Sequence, residues 1–127
     1  MDMNRNQLIA ERLLGEITRR YSKLAAQPGV VLIGLTTEDM YSLNELNWRF
    51  VFGWHSNRFG VVSTARFVVP YYDGMATESV VLSRLRKAVG RYVGFLYYGL
   101  PPSSNPESMV YRTLLGVDDL DALGEDF

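Results

Sequence analysis

The run Val30-Val31-Leu32-Ile33-Gly34-Leu35 limits the folds open to this chain more than any other stretch. It is continuously apolar, rich in β-branched residues, preceded by Pro28-Gly29 and followed by the polar Thr36-Thr37-Glu38-Asp39. Six such residues are too few for a helix of their own, and the lack of polar alternation predicts a central strand buried on both faces. A strand of that kind needs packing layers, and the flanking sequence offers them. Across residues 6–26, Ile9, Leu13, Leu14, Ile17, Tyr21, Leu24 and Ala25 recur at three- and four-residue spacings, with Arg12, Glu16, Arg19, Arg20 and Lys23 mostly between them. This periodicity predicts an amphipathic helix that ends at Pro28-Gly29.

A second amphipathic helix is predicted over residues 78–98, with Val81, Leu85, Ala88, Tyr92, Phe95 and Leu96 on its apolar side and Gly99 as its stop. Arg84, Lys87 and Arg91 form another stripe, which reads as a wet face or a partner contact. Thr77 or Ser79 suits the N-cap. Gly90 and Gly94 lie inside this helix, each costing about 1 kcal/mol relative to Ala, so they predict a close backbone approach or an inherited constraint. Two further strand-like runs, Trp48–His55 and Gly60–Val69, flank the hairpin-like step Ser56-Asn57-Arg58. Thr36–Tyr41 reads as a turn or one short helical turn, Pro70–Met75 as a loop and Pro101–Pro106 as an irregular loop. Val117–Leu123 suits a short terminal helix capped by Asp118 or Asp119.

The resulting expectation is one α/β (α+β) domain over residues 1–127, since 127 residues support a single core and not two. With 13 Lys+Arg against 14 Asp+Glu, the chain lacks the basic surplus of a dedicated nucleic-acid binder. No stretch approaches the ~20 apolar residues of a membrane span, because Arg84, Arg86, Lys87 and Arg91 interrupt the most apolar region. No signal-peptide core follows Met1, so a cytoplasmic location is the default expectation, which a removed leader would change. The absence of Cys excludes disulfides, thiolate metal sites and a cysteine nucleophile, and the single His55 excludes multi-histidine metal sites.

Residues with titratable or ligating side chains give few constellations. His55 neighbours Ser56, but adjacent strand residues point to opposite faces, so the pair reads as structural before it reads as a base and a nucleophile. An enzyme with a relocated site would use His55 with Glu38 or Asp39 as acid–base partners. The acids Asp118, Asp119, Asp121, Glu125 and Asp126 read as a solvated tail with helix-capping aspartates, and their spacing is not that of a calcium loop. Glycine-rich phosphate loops, a nucleophile elbow and a His-Glu-x-x-His motif are all missing. Trp48, Phe50, Phe52, Trp54, Tyr71, Tyr72, Tyr92, Phe95, Tyr97 and Tyr98 can fill a core or line a groove, core being the simpler assignment.

The segment Leu32-Ile33-Gly34-Leu35-Thr36-Thr37-Glu38-Asp39-Met40-Tyr41, then Phe50-Val51-Phe52-Gly53, then Val61-Val62-Ser63-Thr64-Ala65-Arg66, resembles the archaemetzincin family of zinc-dependent metallopeptidases in block order and spacing. The similarity spans about residues 30–123. It implies a zincin-like fold: an N-terminal helix, a short mixed β-sheet, a second packed helix, a Met-turn-like loop and a short C-terminal helix. It also implies that the second helix corresponds to the one bearing His-Glu-x-Gly-His-x-x-Gly-x-x-His. Placing Gly90 and Gly94 on the two motif glycines puts Lys87, Arg91 and Tyr97 at the histidine positions and Ala88 at the glutamate. Tyr98 and Ser108 fall where the first two cysteines of the family's structural zinc would stand, and Ser108-Met109 resembles the Cys-Met pair of the Met-turn.

A hydrolytic zinc needs three lone-pair donors and a carboxylate base, and this register offers an ammonium, a guanidinium, a phenol and a methyl group. The resemblance therefore implies a degenerate relative with no zinc, no cofactor and no proteolysis. Its residual role would be binding an unknown peptide or protein, with no nucleic acid or membrane involved. Lys87, Arg91, Tyr97 and Ser63 would line the cleft, and the Gly60–Val69 run would be the strand-adding platform. Lys87 and Arg91 either bind an anion or pair with an internal acid. A structural, homo-oligomer-forming subunit is the third reading.

Overall fold

In a computed structural model the protein is described over residues 5–56, 58–68, 77–112 and 114–127. The chain divides into two compact units, Met1–Ala65 and Arg66–Phe127.

In the first unit, β1 (Leu8–Ile9), α1 (Ala10–Arg20), α2 (Ser22–Ala25), β2 (Leu32–Thr36), β3 (Met40–Tyr41), β4 (Gly53–Ser56) and β5 (Phe59–Ser63) follow one another. The helix expected from residue 6 starts instead at Ala10, because Leu8 and Ile9 extend to pair in parallel with Met40 and Tyr41. It breaks at Tyr21, whose φ of −117° and ψ of 29° interrupt the ladder before α2. Gly29, at φ 77°, turns the chain into β2 as only a residue without Cβ does readily.

The expected central strand is an edge. The three-stranded sheet has the order β2-β5-β4, parallel between β2 and β5 and antiparallel between β5 and β4. β5 is central, and all five of its residues are buried. The physical reason lies in the alternate faces: β2 buries one face under α1, where the Gly34 backbone lies against Ile17, whereas Leu35 on the other face is 58% exposed. An unbroken apolar run therefore fits a half-covered edge strand as well as a central one. The hairpin holds, with Ser56 opposite Phe59, although Asn57 lies outside the described residues. Strand β4 begins only at Gly53, so residues 48–52 of the expected strand are irregular. Strand β5 ends at Ser63, and Val69, like the Pro70–Met75 loop with Tyr71 and Tyr72, lies outside the described residues. Ala10, Leu14, Met40, Val51, Phe59 and Val61 form the core, with Leu13, Ile17, Leu32 and Trp54 packed against it.

In the second unit, α3 (Glu78–Tyr92) starts at the expected Thr77 cap, whose hydroxyl accepts the Val80 amide, and passes directly into a π-helical segment, Val93–Tyr97. Gly99 ends it at φ 64°. α4 (Val117–Ala122) packs against α3. Its N-cap is Gly116 and not an aspartate; Asp119 instead reaches back to accept the Leu115 amide. Phe67, Ala88, Tyr92, Met109, Val110, Val117, Leu120 and Leu123 are buried. Among the described residues no helix is long and apolar enough to cross a membrane.

Candidate functional site

The residues that the resemblance places at the metal positions stand on α3 and the π-helical segment, and the geometry there belongs to the second unit. Lys87 Nζ donates to the Asp121 carbonyl at 3.0 Å. Four residues along, the Arg91 guanidinium donates to the Tyr111 carbonyl, reaches the Met109 carbonyl at 3.5 Å, and lies 4.9 Å from the Phe95 ring centre. Burial pulls the Arg91 pKa down, against an opposing contribution from Tyr92. Buried Tyr92 is pushed far up, by burial first. Both cations thus hold backbone carbonyls, where an internal acid or a bound anion was expected.

The acid partner belongs to a third cation. Arg84, assigned by its pattern to the wet stripe, is 1% exposed. Its Nε and Nη2 meet the two oxygens of Asp121 at 2.9 Å each, and its Nη1 donates to the Phe67 carbonyl at 2.8 Å. A planar fork that satisfies a carboxylate and a carbonyl at once is what allows a guanidinium to be buried. Periodicity missed it because a buried arginine and a snorkelling one occupy the same helical register.

Behind the helix, Gly90 and Gly94 are explained by close approach. A Cβ at Gly90 would collide with Met109 Sδ, and one at Gly94 would lie 2.6 Å from Val110 Cγ1 and 2.8 Å from Phe127 Cε1. Met109 is buried beneath the helix and Ser108 beside it is also buried, its hydroxyl accepting the Val110 amide. Tyr97 and Tyr98 project outward, 56% and 60% exposed, with ring centres 5.0 Å apart, and Tyr98 lies 5.6 Å from Phe127. Ala88 is buried and presents only a methyl group.

The donor set does not fit zinc. An ammonium and a guanidinium have no lone pair to give, and theirs are the N–H groups already engaged on carbonyls. Among the described residues no group of three or more His, Cys, Asp or Glu side chains converges to hold a metal ion.

In the first unit, Ser63 is buried and its hydroxyl donates to the Glu38 carbonyl at 2.6 Å, which makes it a strut between β5 and the turn after β2. Gly60–Ser63 cannot serve as the strand-adding platform, because β2 and β4 occupy both edges of β5. The register also separates the alternative acid–base group. His55 shares a row with Gly60 and Ile33, whereas Thr36 pairs with Ser63 three residues further along. That places the His55 and Thr36 backbones about 14 Å apart, with side chains standing roughly perpendicular to the sheet. Glu38 lies beyond Thr36, and the Asp39 carboxylate accepts from Gln7 Nε2 at 2.9 Å. A shallow depression lined by Leu8, Ile9, Arg12, Leu13 and Glu16 holds no nucleophile, and Glu16 is bound by Arg19 and Arg20 of its own helix.

No family model matches the sequence, and no curated protein matches it. Solved structures do. Archaemetzincin from Methanopyrus kandleri aligns over 99% of this chain with a TM-score of 0.71 and 25% identity. A zinc-dependent peptidase from Methanocorpusculum labreanum (strain Z) aligns over 100% with a TM-score of 0.81 and 23% identity. The chain spans 62% and 73% of those two chains respectively. This protein therefore has an archaemetzincin-like α+β fold.

Proposed function

We propose that this chain is a non-catalytic, archaemetzincin-like domain whose work is to bind a peptide or protein. The observation that carries the reading is that Lys87 and Arg91, at the positions the sequence resemblance assigns to metal ligands, donate to the Asp121 and Tyr111 carbonyls and so tie the helix to the segments beside it. Such a helix has neither the Lewis acid nor the carboxylate base of zinc hydrolysis. The exposed Tyr97, Tyr98 and Phe127 cluster supports binding. Tyrosines with an apolar body and a polar tip are enriched in interfaces, and Tyr98, with Tyr97 on one side and Phe127 on the other, offers an anchor for an apolar side chain of a partner.

The test combines elemental analysis and zinc titration calorimetry with a peptide-array screen of the wild type and Tyr98→Ala. The expected result is sub-stoichiometric zinc, no heat on zinc addition, and peptide binding that weakens in Tyr98→Ala. Tight stoichiometric zinc, or peptide turnover abolished by a chelator, would overturn the reading.

A further inference from the structure

We propose that Ser22 is a phosphorylation site, the acceptor for a serine kinase that selects its substrates by paired cations ahead of the hydroxyl. Arg19-Arg20-Tyr21-Ser22 sets two guanidiniums before the serine, and no other serine or threonine of the chain has two cations among the three residues that precede it. A guanidinium is charged at any cellular pH, and its planar fork matches a carboxylate. A kinase groove lined by carboxylates therefore recognises this pair in preference to the other hydroxyl residues of the chain.

The local structure makes the segment available. Ser22 follows Tyr21, the break between α1 and α2. Tyr21, Ser22 and Lys23 are all exposed, and among the described residues the Ser22 hydroxyl has no hydrogen-bond partner. The Arg19 and Arg20 side chains are 70% and 64% exposed, and the Glu16 carboxylate that they share is 45% exposed. Exposed pairs of this kind hold weakly and give way to another carboxylate. A kinase takes its acceptor segment extended, and this one opens cheaply. No residue of α2 is buried, and Tyr21 and Leu24 stand largely in solvent, so unwinding residues 19–24 uncovers little apolar surface. The contacts that hold α1 to the core lie upstream, at Ala10, Leu13, Leu14 and Ile17.

In the transfer, Ser22 Oγ attacks the γ-phosphorus of a nucleoside triphosphate that the kinase holds with magnesium. The phosphorus–Oγ bond forms as the bond to the β-phosphate oxygen breaks, the nucleoside diphosphate leaves, and the hydroxyl proton passes to a carboxylate of the kinase. The product carries about −1.5 to −2 charge at Ser22 at neutral pH, which offsets the positive charge that Arg19, Arg20 and Lys23 give this end of the helix.

Incubating the whole chain with magnesium, ATP and the catalytic subunit of cyclic-AMP-dependent protein kinase, a serine kinase with an acidic substrate groove, tests the site independently of zinc or peptide binding. Intact mass and fragment mapping follow the incorporation. The expected product carries one phosphate, on Ser22, and Ser22→Ala should abolish it. Arg19→Ala and Arg20→Ala should each lower kcat/KM for the phosphorylation about tenfold or more, the loss of one charge-assisted contact. Arg12→Ala, on the same helix outside the motif, should leave it unchanged, and circular dichroism checks that each variant is folded. No incorporation into the folded chain, a phosphate that persists in Ser22→Ala, or a rate indifferent to both Arg19→Ala and Arg20→Ala would overturn the proposal.

Discussion

The two arginine–carboxylate pairs that tie α3 to the C-terminal region form a matched experiment on burial. Arg84–Asp121 has side chains 1% and 42% exposed; Arg86–Glu125, two residues along the same helix, has side chains 61% and 59% exposed. Removing Asp121 takes two charge-assisted hydrogen bonds from a guanidinium that water cannot reach. Each such bond contributes about 1.5–3 kcal/mol, and the two are not additive. Because Asp121 is itself partly hydrated, Asp121→Ala should cost about 3 kcal/mol, towards the low end of the range for breaking a buried pair. Removing Glu125 releases an arginine into solvent, and Glu125→Ala should cost at most about 0.5–1 kcal/mol. Urea unfolding followed by far-ultraviolet circular dichroism, which reads α3 and α4 themselves, with the slope of the transition checked for constancy, measures both. Added salt should narrow the small effect and leave the large one nearly unchanged. Equal costs for the two variants, or an Asp121→Ala cost that disappears in high salt, would refute the reasoning that burial of Arg84 sets the energetics.

The Glu11 carboxylate accepts the Ser42 hydroxyl at 2.5 Å, the Leu43 and Asn44 amides, and Asn44 Nδ2. Burial raises its pKa, but the hydrogen bonds together outweigh burial and leave it below the ordinary 4.5. A depressed carboxyl stabilises the fold above its unfolded value, so this contribution, present in full at neutral pH, is lost as pH falls below that value and through the folded one. The stability gap between wild type and Glu11→Gln, measured by urea unfolding at several pH values, should therefore close in acid; a gap independent of pH would refute the assignment. Gly94→Ala should destabilise by about 1–2 kcal/mol despite its better helix propensity, because Val110 is buried and branched and cannot yield. Gly90→Ala should be near neutral by thermal unfolding, since the flexible end of Met109 can swing aside.

Which elements form was legible in the residues. The start of α3, its Thr77 cap, the Gly99 stop and the β4–β5 hairpin follow from periodicity and turn chemistry, which act over a few residues and need no tertiary partner. The two helix glycines announced a close approach, because a chain with free choice would have placed alanine there. The archaemetzincin-like fold was legible too, through the order of the short blocks from Leu32 to Arg66 and not through any catalytic residue.

Tertiary structure decided the rest. Whether β2 or β5 is central depends on which strand finds two neighbours, and an apolar run encodes burial without encoding rank. Three cations share one helical stripe, yet Arg84 is buried on Asp121 while Lys87 and Arg91 bind carbonyls, because the partners arrive from residues 67 and 109–121, far along the chain. Local sequence sets which way a side chain points from its helix. What waits there, water, a carboxylate or a backbone carbonyl, is fixed only when distant segments fold against it.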